Sequence, residues 1–166
     1  MWQHNCSRTS RSCMTKISKH DLVRAAARAR QRAVVPYSKF KVGAALLTRA
    51  GEIITGANVE SASYGLTCCA ERVALFNALS GGRRNFVAVA VVARAAGGPM
   101  PCGACRQLLA EYAPQAAVWV ADSRALHTIK AFSVRELLPA AFVEVPGTRQ
   151  VRRAGAPAAR GKESPP

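Results

Sequence analysis

Eight consecutive residues, Phe86 to Ala93, read FVAVAVVA without one polar side chain. A run of that length and β-branched content suits a strand covered on both faces, because a strand with one wet face alternates apolar and polar residues. The rest of the chain supplies cover in helical segments. From Ser18 to Val34 the apolar positions Leu22, Val23, Ala26, Ala27 and Val34 predict an opening helix, capped by Ser18 or Asp21 and ended by Pro36. Lys41 to Thr48 and Glu52 to Val59 are β-prone around the turn signal Ala50-Gly51, which predicts a hairpin and leaves its register open. Cys68 to Leu79 has helical character and stops at Gly81-Gly82. After the Gly97-Gly98-Pro99 turn, Gly103 to Tyr112 reads as a helix, Ala117 to Ala121 and Leu126 to Phe132 as strands, and Ser133 to Leu138 as a short helix. Strands and helices in this order predict a mixed α/β sheet with helices packed on it.

Composition narrows the class. At 166 residues the chain fits one domain, and it contains no apolar run long enough to span a bilayer. The formal charge of +15 is the kind of excess that nucleic-acid binding leaves, but residues 1–15 and 147–166 carry +6 of it. We therefore expect a basic N-terminal extension over 1–17, a folded domain over 18–146 and a disordered Arg/Ala/Gly/Pro tail over 147–166. A transit peptide is the rival reading of the first residues, which carry Arg and Ser and no acid before Asp21; a start at Met14 or a frayed tail is preferred. Six cysteines in a long, apolar chain with no signal-like opening are read as reduced thiols, which makes the cytoplasm the expected compartment.

The chemistry lies in two short stretches, Cys69-Ala70-Glu71 and Pro101-Cys102-Gly103-Ala104-Cys105. They offer three soft metal ligands and one carboxylate. Structural zinc sites fill four corners with protein ligands, whereas catalytic sites keep one for water or substrate. Both stretches fall where an extended or loop segment becomes a helix, and first-turn side chains can converge on the space beyond a helix end. The positive end of each helix favours thiolate over thiol. Arg72 and Arg106 are placed to offset the cluster's negative charge through hydrogen bonds. A lone C-x-x-C would equally suit a redox dithiol or half of a structural zinc site. Cys68 is the nearby candidate for a fourth sulfur, but adjacent helical residues point about 100° apart, so we expect it to be a small buried hydrophobe. Cys6 and Cys13 read as free thiols without a site.

With these motifs on the page, the chain resembles the small, homotetrameric, three-cysteine cytidine deaminases of the cytidine and deoxycytidylate deaminase superfamily. The resemblance runs from about Val35 to Phe142 through PYSKFKVGAALL, NVESASYGL, CAER, PCGACRQ and LLPAAF, in that order. It departs at Ser61, where relatives usually have Asn, and at Cys68, where they usually have an aliphatic residue. The resemblance implies a three-layer α/β/α sandwich with a mixed central sheet. It implies that Cys69, Cys102 and Cys105 hold one Zn²⁺ per subunit and that Glu71 moves protons between water, the pyrimidine ring and the departing amine. It implies further that Asn58 and Glu60 grip the ribose, that Ala70 offers backbone contacts to the base and that Phe40 packs on the pyrimidine. Tyr64 and Phe142 would complete pockets across subunit contacts. Without the family pattern, Phe40, Val42 and Phe142 would read as ordinary core, and Asn58 and Glu60 as a polar turn after a strand.

The expected activity is hydrolytic deamination of free cytidine and deoxycytidine to uridine and deoxyuridine, a step of pyrimidine salvage. A carboxylate such as Glu60 suits a free hydroxyl and repels a phosphate. The rivals are deamination of a modified nucleoside, deamination of cytosine in nucleic acid, and a structural-zinc module that binds nucleic acid without catalysis. The chain shows no extended stretch of interleaved aromatic and basic residues of the kind that single strands favour. Any contact with nucleic acid is expected only through the basic tails.

Overall fold

A computed structural model describes residues 17–143. The expected N- and C-terminal extensions, with Cys6 and Cys13, lie almost wholly outside them. Helix α1 spans Lys19–Arg30 and starts with a capping box: Asp21 N donates to the Ser18 hydroxyl, and Ser18 N donates back to the Asp21 carboxylate. The helix ends four residues earlier than its apolar pattern predicts. Val34 instead pairs with the segment at 58–60, its N–H donating to Asn58 O and its carbonyl accepting from Glu60 N. Val35, directly before Pro36, is steered toward extended backbone, and the pairing at Val34 supplies hydrogen bonds in place of a further helical turn.

Strands β1 (Val42–Thr48) and β2 (Ile53–Ala57) form the predicted hairpin, with Gly43 opposite Ala57 and Leu47 opposite Ile53. A 3-10 turn, Tyr64–Leu66, precedes α2 (Ala70–Ser80), which stops at Gly81. Strand β3 (Phe86–Ala93) and helix α3 (Gly103–Tyr112) have the predicted bounds. Strands β4 (Ala117–Asp122) and β5 (Ile129–Ser133) and the single-turn α4 (Val134–Leu137) complete the described chain. Two predicted strands prove too long. Val59 leaves β2 to bridge Cys68, and Leu126 lies in a turn started where the Asp122 carboxylate accepts from Arg124 N and closed by Thr128 N on Ala125 O.

The sheet runs β2-β1-β3-β4-β5, with β3 and β4 parallel and the other neighbours antiparallel. Its strands bury alternate residues on opposite faces, as the two-residue period of a strand requires. Ala44, Leu46, Val89, Val91, Val118 and Val120 pack with α2, α3 and α4. Ala45, Leu47, Ala88, Ala90 and Val92 pack on the other face with Leu22, Val23, Ala25 and Ala26 of α1. The expected mixed sheet between helical layers is thus the observed α/β fold, and β3 is covered on both faces. Among the described residues, no helix is long and apolar enough to cross a membrane.

Register decides where the two cysteine motifs meet. Gly43 pairs with Ala57 and Val42 with Ala93, so the start of β1 and the ends of β2 and β3 share one rim of the sheet. Helices α2 and α3 follow β2 and β3 in the chain, so both begin at that rim. Two glycines bring helices close to the strands. A Cβ on Gly43 would lie 2.1 Å from Ala26 O, and one on Gly56 would lie 2.4 Å from Ala74 N and 2.5 Å from Ala70 O. The first turn of α2 therefore rests directly on β2.

Gly56→Ala should cost about 3 kcal/mol of stability, at the upper end of overpacking penalties, because the obstruction is backbone. It should also shift Cys69 and Glu71. A lower urea midpoint together with weaker zinc retention is the expected result, and an unchanged midpoint would show that α2 can move away freely.

Candidate active site

Cys69 is the N-cap of α2 and Cys102 the N-cap of α3. Both have extended backbones, and neither sulfur caps its helix, which leaves both side chains free to face outward. Cys105 lies buried in the first turn of α3. Cys69 Sγ and Cys102 Sγ are 3.8 Å apart, Cys102 Sγ and Cys105 Sγ are 3.6 Å apart, and all three sulfurs lie within 4.8 Å of one another. Tetrahedral zinc with Zn–S bonds of about 2.3 Å requires sulfur–sulfur edges of about 3.8 Å. The donor set fits that ion, and three sulfurs leave one corner open.

Cys68 does not join the cluster. Its N–H and carbonyl pair with Val59 in a short antiparallel bridge, and its side chain is half-buried, not fully buried as the sequence suggested. That bridge carries segment 58–60 alongside Cys69.

The two arginines separate in role. Arg72 donates to Thr67 O at 2.7 Å and faces Cys69 Sγ at 3.8 Å, and its buried Nε has no partner. Arg106 makes no hydrogen bond to the sulfurs. It donates instead to Pro101 O at 2.7 Å and Leu137 O at 3.1 Å, tying the metal loop to the last residue of α4. The reason is reach: the Arg106 guanidinium lies beside two backbone carbonyls that need donors.

In the metal-free chain the neighbouring Cys105 thiol, then Arg72 and Cys102, hold the Cys69 thiol well below the usual range, against the effect of burial. The Cys105 thiol is pushed the other way, first by Cys69 and then by burial and Glu71. Glu71 is only 6% exposed. Burial pushes its carboxyl up to about 7, and the Cys69 thiolate adds to that. Glu71 thus sits as a buried carboxyl in the first turn of α2, beside the sulfur cluster.

Of the predicted substrate residues, Asn58 follows the end of β2 and Ala70 opens α2, both at this rim. Ala70, the first residue of α2, is fully buried. Asn58 is buried and bridges the backbone: Val42 N donates to its Oδ1 at 2.8 Å, and its Nδ2 donates to Phe40 O at 2.9 Å. Glu60 accepts from Tyr37 N at 3.0 Å, from Ser38 N at 3.1 Å and from the Ser38 hydroxyl, and that hydroxyl contact leads the causes that lower its pKa. Phe40 is exposed, not core. A groove of about 370 Å³ runs between Tyr37, Ser38, Glu60, Ser61, Tyr64 and Thr67. Tyr64 and Phe142 are 81% and 67% exposed and bury little of themselves within this chain, while Gln107 Nε2 anchors Phe142 O at 2.5 Å. Sequence reasoning missed Ser38 and Gln107, because their partners lie more than twenty residues away.

Residues 16–121 match the family described as the cytidine and deoxycytidylate deaminase zinc-binding region. The chain belongs to this family. It is 53% identical to the cytidine deaminase of Halalkalibacterium halodurans over 122 residues, 73% of this chain and 91% of that protein. It is 47% identical to that of Sporosarcina psychrophila over 121 residues, 73% and 88% of the two chains. The crystal structure of cytidine deaminase from Burkholderia pseudomallei superposes with a TM-score of 0.72 at 48% identity, covering 75% of this chain and 99% of that one. Zinc is the metal that the family binds, and the three-sulfur cluster fits it.

Proposed function

We infer that the chain is a zinc-dependent cytidine deaminase that converts free cytidine and deoxycytidine to uridine and deoxyuridine with release of ammonia. One observation carries the reading: a buried carboxyl, Glu71, lies beside a three-sulfur cluster with an open corner, in a family described by its zinc-binding region. Cys69, Cys102 and Cys105 hold the metal. Bound zinc supplies Lewis acidity that makes water a competent nucleophile near neutral pH.

The chain's own residues do the rest. Glu71 accepts a proton from the attacking water, delivers it to the ring nitrogen beside the carbon under attack, and later assists departure of the amine. Arg72 offsets negative charge at Cys69. Asn58 and Glu60 grip the ribose hydroxyls, the Ala70 backbone meets the base and Phe40 covers the pyrimidine. The ionised Glu60 repels a phosphate, which favours nucleosides over nucleotides.

Exposed Tyr64 and Phe142 support a homotetramer in which they complete neighbouring pockets, and a monomeric mass by light scattering would remove that part of the reading. Reduced thiols support a cytoplasmic enzyme, and free nucleosides as substrates support a place in pyrimidine salvage.

The test compares ammonia release from cytidine with that from a cytosine-containing oligonucleotide, before and after zinc is removed and returned. Turnover of cytidine alone, lost with zinc and regained with it, is expected. Turnover without metal, or of the oligonucleotide alone, would overturn the reading.

A further inference from the structure

Ser38 has no role in the chemistry above, yet it is the busiest junction at the rim. Its hydroxyl donates to Glu60 Oε1 and accepts from Phe40 N at 3.0 Å, and its N–H joins that of Tyr37 in donating to Glu60 Oε2. The turn that allows this passes through Lys39 at φ 58°, a left-handed conformation that a lysine seldom adopts. An ionised carboxylate has about four acceptor positions. Three on Glu60 are filled by the 37–38 turn, which leaves one. Asn58 is similarly committed, with one N–H and one lone pair still free after its bonds to Phe40 O and Val42 N. What remains for a ligand is a small set of groups whose directions are fixed by the loop that also carries Phe40.

We propose that Ser38 is a positioning residue for the nucleoside's sugar: its single hydroxyl locks the Glu60 carboxylate to the backbone of Phe40, so that the sugar grip and the base contact form one rigid unit. Losing the hydroxyl frees Glu60 Oε1 to pivot about the two bonds to Oε2 and leaves Phe40 N without its partner. The residue acts through Glu60 and Phe40 and does not touch the reacting atoms. The inference rests on the cytidine deaminase reading.

The experiment measures kcat and KM of the zinc-loaded wild type, Ser38→Ala and Ser38→Thr with cytidine and with 2′,3′-dideoxycytidine, which lacks the hydroxyls that Glu60 would hold. In Ser38→Ala, kcat/KM for cytidine should fall about tenfold, mostly through KM, the size of one lost hydrogen bond to a charged group. The value for the dideoxynucleoside should fall clearly less, because only the Phe40 contact with the base is loosened and no sugar hydroxyl is there to lose. Ser38→Thr keeps a hydroxyl and should restore most of the preference. Parallel losses on both substrates would mean that Ser38 only supports the loop, and they overturn the proposal, as does an unchanged ratio. A wild type that releases no ammonia from cytidine overturns the deaminase reading and this proposal with it. A wild type that is active, with a Ser38→Ala ratio like its own, overturns this proposal alone.

Discussion

Glu71→Gln is expected to lower kcat for cytidine by about 10² to 10⁴, the range for a positioned general acid–base, while zinc content stays at one per chain. The substitution keeps the shape of the side chain and its place in the first turn of α2, and removes only its capacity to take and return a proton. Burial favours the neutral form, which pushes the native carboxyl up to about 7 in the metal-free chain, so the variant loses no buried ion pair and should fold normally. A dication nearby favours the carboxylate and brings that value down. The wild-type rate should therefore fall as acid protonates Glu71, somewhere below pH 7, and that limb should be missing from the residual activity of the variant. Steady-state kinetics across pH, with zinc measured on the same samples, is the check. Wild-type turnover in Glu71→Gln would remove Glu71 from the chemistry.

Cys102→Ala should abolish both zinc binding and turnover. A neighbour that only orients a ligand typically contributes about 10- to 100-fold to metal affinity, so losing one of three protein ligands costs more than that. Cys102 is the suitable position to test because its side chain is exposed, and its loss opens no cavity in the core. Cys105, by contrast, is buried, and its removal would mix metal loss with lost packing. Cys68→Ala serves as the companion variant. It lies one residue from the cluster but outside it, and should retain both metal and activity. Zinc at full occupancy in Cys102→Ala, measured by elemental analysis after dialysis, would exclude Cys102 from the ligand set.

What the sequence made legible follows the range of the forces involved. The bounds of β3 and α3 emerge from local composition because a continuous apolar run and a helix opening directly after Pro101-Cys102 each have one good local solution. The three sulfurs were legible as well, since catalytic zinc constrains residue type and spacing together. Misreadings arose where a distant partner competes with a local preference. The apolar pattern at Val34 fits a last helical turn, but Asn58 and Glu60 offer it two backbone hydrogen bonds. Cys68 reads as the start of a helix, and Val59 draws it into a bridge. Arg106 stands beside a metal ligand in the chain, while the carbonyl it meets at Leu137 lies 31 residues on. The roles of Asn58 and Glu60 in holding residues 37–42 were similarly invisible, because nothing local pairs a polar turn with a loop some twenty residues earlier.

The shared rim set by pairing Gly43 with Ala57 and Val42 with Ala93 also determines where this polypeptide can be rebuilt. The loops at the opposite rim, residues 49–52 and 81–85, are exposed and carry no residue of the proposed metal and nucleoside site. A tag, a fused domain or a pair of new chain ends placed there would leave every ligand on its original strand and helix. The same cut between 58 and 69 would sever the proposed sugar grip from the first sulfur. One side of the sheet is thus committed to chemistry, and the other is free to acquire new attachments.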